Sequence, residues 1–145
     1  MPTVMPMIVV DDVDAVSDFY QNTLGFEQTL GMRTPDGAMM MIMVDNGHDA
    51  CVMFNQAHPD SPAPTALNPD GLALYLTTED VDAYHDAISG KAGVEVVEGP
   101  TDQFWGDRTI MVRDPWGLHL WFCQHTGQMS APPEGFDIEM KMPVG

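Results

Sequence analysis

The chain is short of basic residues, short of cysteine and without long apolar runs. Five lysines and arginines stand against 22 aspartates and glutamates, and lysine occurs only at Lys91 and Lys141. A net charge of −17 repels phosphate backbones, which argues against a nucleic-acid partner. It also lies far beyond the magnitude of about 2–8 that suits a small domain. Two readings follow. One is a solvated acidic surface adapted to a salty cytoplasm, where counterions screen the self-repulsion. The other is a field that draws in a cationic ligand. The halophilic reading predicts a melting midpoint that rises along a salt series; a midpoint indifferent to salt refutes it.

The two cysteines, Cys51 and Cys123, form no CxxC pattern, so a reducing cytoplasm is the expected setting. No run of about 18 apolar residues is present, so no membrane-spanning helix is expected. The opening "MPTVMPMIVVDD" has no basic segment before its apolar stretch, and a signal peptide is not expected. A length of 145 residues fits one structural domain with a real core.

What is present is a repeat. "DVDAVSDFYQNTLGFE" begins at Asp12 and "DVDAYHDAISGKAGVE" begins at Asp80, identical at seven of sixteen positions without a gap. Each copy reads as one helix. Asp12 and Asp80 are N-cap residues, because a short carboxylate accepts the free N–H groups of a first turn. Asp14 and Asp82 place charge at the positive end of the dipole. Val13, Val16, Tyr20 and Leu24 share a face, as do Val81, Tyr84, Ile88 and Ala92. Gly25 and Gly93 stand where such helices end.

Strand patterns surround each helix: one before it and three after it, divided by "PDG", Asn46-Gly47 and "DPWG" turns. Each half therefore reads β-α-β-β-β. The expected layout is a first module over 1–57, a Pro/Asp-rich linker over 58–70, a second module over 71–125 and a tail over 126–145. The tail wraps either its own surface or a partner subunit.

Two βαβββ units, "FYQNTLGFE" after the first cap and "DPWG" before the last strand resemble the vicinal-oxygen-chelate (glyoxalase/bleomycin resistance/dioxygenase) superfamily over about residues 3–125. "FWGDRTIMVRDPWGLHLWF" resembles its PhnB-like subgroup. The resemblance implies an α+β fold: two βαβββ modules in tandem forming a curled mixed-sheet cup. It also implies a small-molecule ligand and a homodimer, with the cup closed either within one chain or across two. Metal-using members carry a ligand near the start of each module's first strand and one in each last strand. Those slots fall on Met5, Ala73, Met53 and Trp121. Thioether, methyl and indole do not hold hard or borderline cations. No metal or other cofactor is therefore expected. The alternative is a divalent metal at a non-standard site.

Strand alternation assigns the cup lining. Met5, Met7, Cys51, Met53, Tyr75, His119 and Trp121 share one parity. Ile8, Val10, Leu72, Leu74, Leu76, Leu118, Leu120 and Phe122 share the other, almost purely aliphatic. Trp105, with Phe104, lies in a loop that the resemblance puts at the cup mouth. There the pair either packs on the tail or stacks on a ligand. His119 is either a hydrogen-bonded structural histidine or a general base. Arg108 is either an ion pair or a clamp on an anionic oxygen. His48, His58, His85 and His125 are not singled out. Three readings remain open: a metal-free protein that sequesters a cationic or aromatic drug-like molecule, a lyase, isomerase or transferase using His119 and Arg108, and a dimeric structural or regulatory module.

Overall fold

The computed structural model describes residues 5–48, 50–58 and 71–137. The expected linker beyond residue 58 and the end of the tail lie outside the described residues. In chain order the elements are β1 (Met7–Val10), α1 (Val13–Asp18) continued by a π-helical turn (Phe19–Thr23), β2 (Glu27–Arg33), β3 (Met39–Asp45) and β4 (Cys51–Gln56). Then follow β5 (Ala73–Thr77), α2 (Val81–Ile88), β6 (Glu95–Asp102), β7 (Asp107–Arg113) and β8 (His119–His125). They form two four-stranded sheets, β1-β4-β3-β2 and β5-β8-β7-β6. In each, the first strand pairs in parallel with the last and the others run antiparallel.

The repeat is written into the register. Met7 opposes Met53, Ile8 opposes Phe54 and Val9 opposes Asn55. Sixty-eight positions later Tyr75 opposes Trp121, Leu76 opposes Phe122 and Thr77 opposes Cys123. The caps repeat too. Asp12 Oδ1 accepts from Ala15 N at 3.1 Å, and Asp80 Oδ1 accepts from Ala83 N at 3.1 Å. A second capping contact comes from the last strand of each module. Gln56 Oε1 accepts from Val13 N at 2.9 Å, and Gln124 Oε1 accepts from Val81 N at 3.0 Å. Each helix start is thus tied to its own sheet.

The helices themselves differ. After Asp18 the first widens into a π turn, closed by Leu24 N donating to Phe19 O at 3.1 Å, which leaves both Phe19 and Tyr20 buried. The second ends at Ile88, earlier than its spacing suggests. Ala92 is exposed, and Gly93 lies beyond a separate turn in which Gly90 has φ +81°.

Residues of the aliphatic parity from both sheets meet the buried faces of both helices in one core. Phe26 of the first module stacks edge-on to Phe122 of the second, with centroids 6.4 Å apart. Tyr84 Oη donates to Leu24 O at 2.7 Å, and Tyr20 Oη donates to Asp114 Oδ2 at 2.8 Å. Since the helix-facing sides of both sheets build this shared core, their other faces lie on the outside of the molecule. The architecture is the expected pair of modules. Within one chain, however, the sheets stay separate and each presents an open half-cup.

Candidate functional site

The two half-cups are chemically unlike. In the first, β3 and β4 oppose Met41 to Asn55, Met43 to Met53 and Asp45 to Cys51. Met7 lies beside Met53, and Met32 opposes Met41 from β2. This is a flexible thioether wall, able to adapt to an irregular apolar shape. Met7 and Met32 are each about half exposed, at 53% and 52%. Asn55 adds one polar group, whose Oδ1 is buried with no hydrogen-bond partner among the described residues.

The second half-cup is aromatic and polar. Tyr75 lies beside Trp121 with ring centroids 6.1 Å apart, and Met111 opposes Trp121 from β7. At one end of this face Asp107 opposes His125, next to Thr109 opposite Cys123. Asp107 is 8% exposed and its carboxylate collects three donors. Tyr75 Oη donates to Oδ2 at 2.5 Å, Trp105 Nε1 donates to Oδ2 at 3.2 Å, and His125 Nδ1 lies 2.7 Å from Oδ1. The indole also sits 3.1 Å from Tyr75 Oη. Burial works to raise the Asp107 carboxyl. The hydrogen bonds from Tyr75, His125 and Trp105 outweigh it and hold the group below the ordinary aspartate value. Burial pushes the Cys123 thiol up, with opposing contacts from Thr77 and Tyr75.

A glycine places Trp105. Gly106 sits at φ +99°, a conformation that disfavours side chains. Its carbonyl accepts from Thr126 N at 2.9 Å, Gly127 N at 3.0 Å and Thr126 Oγ1 at 3.0 Å. Ser130 N donates to Phe104 O at 2.9 Å. The first part of the tail therefore runs along the Phe104–Trp105 loop of its own chain and holds it over the half-cup.

The remaining sequence candidates fall as follows. Met53 and Trp121 lie on the two outer faces, in different modules. Ala73 is exposed opposite His119, and Met5 is half-buried just ahead of β1. Cys51 is half-buried opposite Asp45. His119 is half-buried at the start of β8, across from Arg113. Arg108 has the opposite parity to Asp107 and reaches toward α2. Its guanidinium is gripped by Asp82 (Nε–Oδ2 2.8 Å, Nη2–Oδ1 3.0 Å) and by Asp102 (Nη1–Oδ1 3.0 Å). His119 and Arg108 are thus not brought to one point.

Sequence reasoning missed the Asp107–His125 pair. The signal was there: the Asp114–Leu118 hydrogen bond closes the β7–β8 hairpin, and equal steps outward from it reach Asp107 and His125. Asp107, Cys123 and His125 also bring one donor atom each within 4.8 Å of one another. That donor set suits zinc, but two ligands on tetrahedral zinc stand about 3.3 Å apart. The Oδ1–Nδ1 separation of 2.7 Å is that of a hydrogen bond. Among the described residues no helix is long and apolar enough to cross a membrane.

Comparison with known proteins agrees with this fold. The model of the glyoxalase/bleomycin resistance protein/dioxygenase superfamily matches residues 3–122. An uncharacterized protein of Mycobacterium tuberculosis H37Rv is 35% identical over 125 residues, covering 81% of this chain and 71% of that one. TnmS3, described as an antibiotic binding protein from Streptomyces sp. CB03234, is 29% identical. Its TM-score is 0.64, over 86% of this chain and 97% of that chain. TioX from Micromonospora sp. ML1 shares the fold at 22% identity, with a TM-score of 0.67 over 86% and 99% of the two chains. The chain belongs to the glyoxalase/bleomycin resistance protein/dioxygenase superfamily.

Proposed function

We propose that this protein binds an apolar, partly aromatic small molecule without a metal, in the manner of a drug-sequestering resistance protein. The observation that carries the reading is the contrast between a methionine wall and an aromatic wall with one ionised polar corner. Ligand sites combine apolar lining with a few placed polar groups in this way. The superfamily's metal slots hold Met5, Ala73, Met53 and Trp121, which are poor ligands for hard and borderline cations. Likeness to TnmS3, described as antibiotic-binding, supports the same class of ligand. A net charge of −17 favours a neutral or cationic molecule over an anionic one.

Two open half-cups facing outward call for a second copy, so the complete site is formed in a homodimer, module one of one chain against module two of the other. The PhnB-like subgroup and a cytoplasmic setting remain part of the proposal, on the stretch from Phe104 to Phe122 and the unpaired cysteines. An enzyme using Arg108 as an electrostatic stabiliser has less support, because two carboxylates already hold that guanidinium.

Tryptophan fluorescence tests the reading. Titration with planar cationic and neutral aromatic drugs should quench Trp121 and Trp105 at micromolar concentrations, and Trp121→Ala should weaken binding about tenfold or more. Absence of any spectral response across the panel, or a stoichiometric divalent metal in the purified protein, overturns it.

A further inference from the structure

The polar corner of the second half-cup has an unusual hydrogen balance. Three groups surround the Asp107 carboxylate: Tyr75 Oη–H and Trp105 Nε1–H donate to it, and His125 Nδ1 lies 2.7 Å from its Oδ1. An ionised carboxylate only accepts, so the hydrogen on the His125 side of that contact belongs to Nδ1. A neutral imidazole carries one N–H, which leaves Nε2 as a bare lone pair on the far side of the ring. The His125 side chain is 66% exposed while the Asp107 side chain is 10% exposed. In that neutral form the ring spends its donor inward, and its acceptor faces away from Asp107 on a side chain that is mostly exposed. Tyr75 Oη, with its hydrogen committed to Asp107, is likewise an acceptor toward anything else.

Resting on the ligand-binding reading above, we propose that His125 Nε2 accepts a hydrogen bond from a hydroxyl or N–H group on a planar aromatic ligand lying against Tyr75 and Trp121. With the His125 ring neutral, the three groups around Asp107 have committed their hydrogens to it and offer none to a ligand that presents only acceptors. The ligand class is accordingly narrowed to neutral or cationic aromatics carrying a hydrogen-bond donor. Asp107 is a positioning residue: it fixes the tautomer and orientation of His125 and does not meet the ligand.

The test has two stages. Long-range proton–nitrogen NMR on the free protein at pH 8, assigned with His125→Ala, should find His125 as the Nδ1–H tautomer, and Asp107→Asn should shift that ring's resonances. Binding is then compared for 2-naphthol and 2-methoxynaphthalene, which share a ring system but differ in the donor. The naphthol should bind about tenfold tighter and move the His125 Nε2 resonance. In His125→Ala the preference should shrink to about twofold or less. An Nε2–H tautomer, or equal binding of the two compounds, overturns this inference alone. Failure of both compounds together with the whole drug panel overturns the binding reading and this one with it. Stoichiometric zinc capture that shifts His125 and deprotonates Cys123 assigns the corner to a metal instead.

Discussion

Replacing Asp114 by alanine should destabilise the protein by about 3 kcal/mol and lower its melting midpoint by about 10 °C. The carboxylate is 6% exposed and accepts three hydrogen bonds. Two come from its own turn, Trp116 N and Leu118 N, both at 2.9 Å to Oδ1. The third comes from Tyr20 Oη in the other module, at 2.8 Å to Oδ2. Burial pushes the Asp114 carboxyl up, and these donors oppose that rise. Removing the acid leaves the tyrosine hydroxyl buried at 0% exposure without an acceptor, which costs more than the bond itself was worth. Tyr20→Phe removes the orphan along with the bond and should cost only about 1 kcal/mol. The double variant should then fall about 1 kcal/mol short of additivity in chemical denaturation. Strict additivity would show that the two modules are not joined through this contact.

That contact also marks where the sequence stops being readable. Within each module much was legible. Asp12 and Asp80 cap as their spacing implies, and Ile8, Val10, Leu74, Leu76, Leu118, Leu120 and Phe122 are buried as strand parity requires. Pro6 stands just ahead of β1, at the edge of its sheet, where the missing N–H breaks no ladder. The "DPWG" turn closes with Gly117 N donating to Asp114 O at 3.0 Å.

Contacts between modules were not legible, because no periodicity links Tyr20 to a turn 94 residues away. The π turn was hidden for a related reason. A wide turn that buries Phe19 and Tyr20 together is set by what they pack on, Trp116 and Phe54, which come from two different modules. The polar corner falls between these cases. Hairpin counting reaches the Asp107–His125 pair, but Tyr75 and Trp105 join it only through the β5–β8 pairing and the glycine turn. Arg108 shows the limit of residue type as a guide. A scarce cation in an acidic chain attracts attention as a ligand clamp, yet the same scarcity leaves many carboxylates competing for it, and Asp82 and Asp102 hold it.

Coexpressing two differently tagged variants, one Met53→Glu and one Trp121→Ala, should restore the tight binding that each variant alone has lost. Met53→Glu sets a charge in the methionine wall of module one, where an apolar ligand cannot offset its desolvation. Trp121→Ala removes the largest ring of module two's wall. Each homodimer then has two damaged cups. In the doubly tagged mixed dimer the two damaged modules fall in one cup and the two intact modules in the other. Dimers isolated through both tags should therefore bind at wild-type affinity with about half the wild-type number of sites. Both substitutions lie on outer faces away from the core, so folding should survive them, and unchanged melting midpoints would check this. A cup closed within one chain predicts the reverse, since every chain then carries one ruined wall and no mixture rescues it. Recovery of single chains only, with no doubly tagged species, would equally remove the second copy from the site. The outcome turns on a single geometric fact: both helix-bearing faces are spent on the shared core, leaving the methionine and aromatic walls without each other inside one chain.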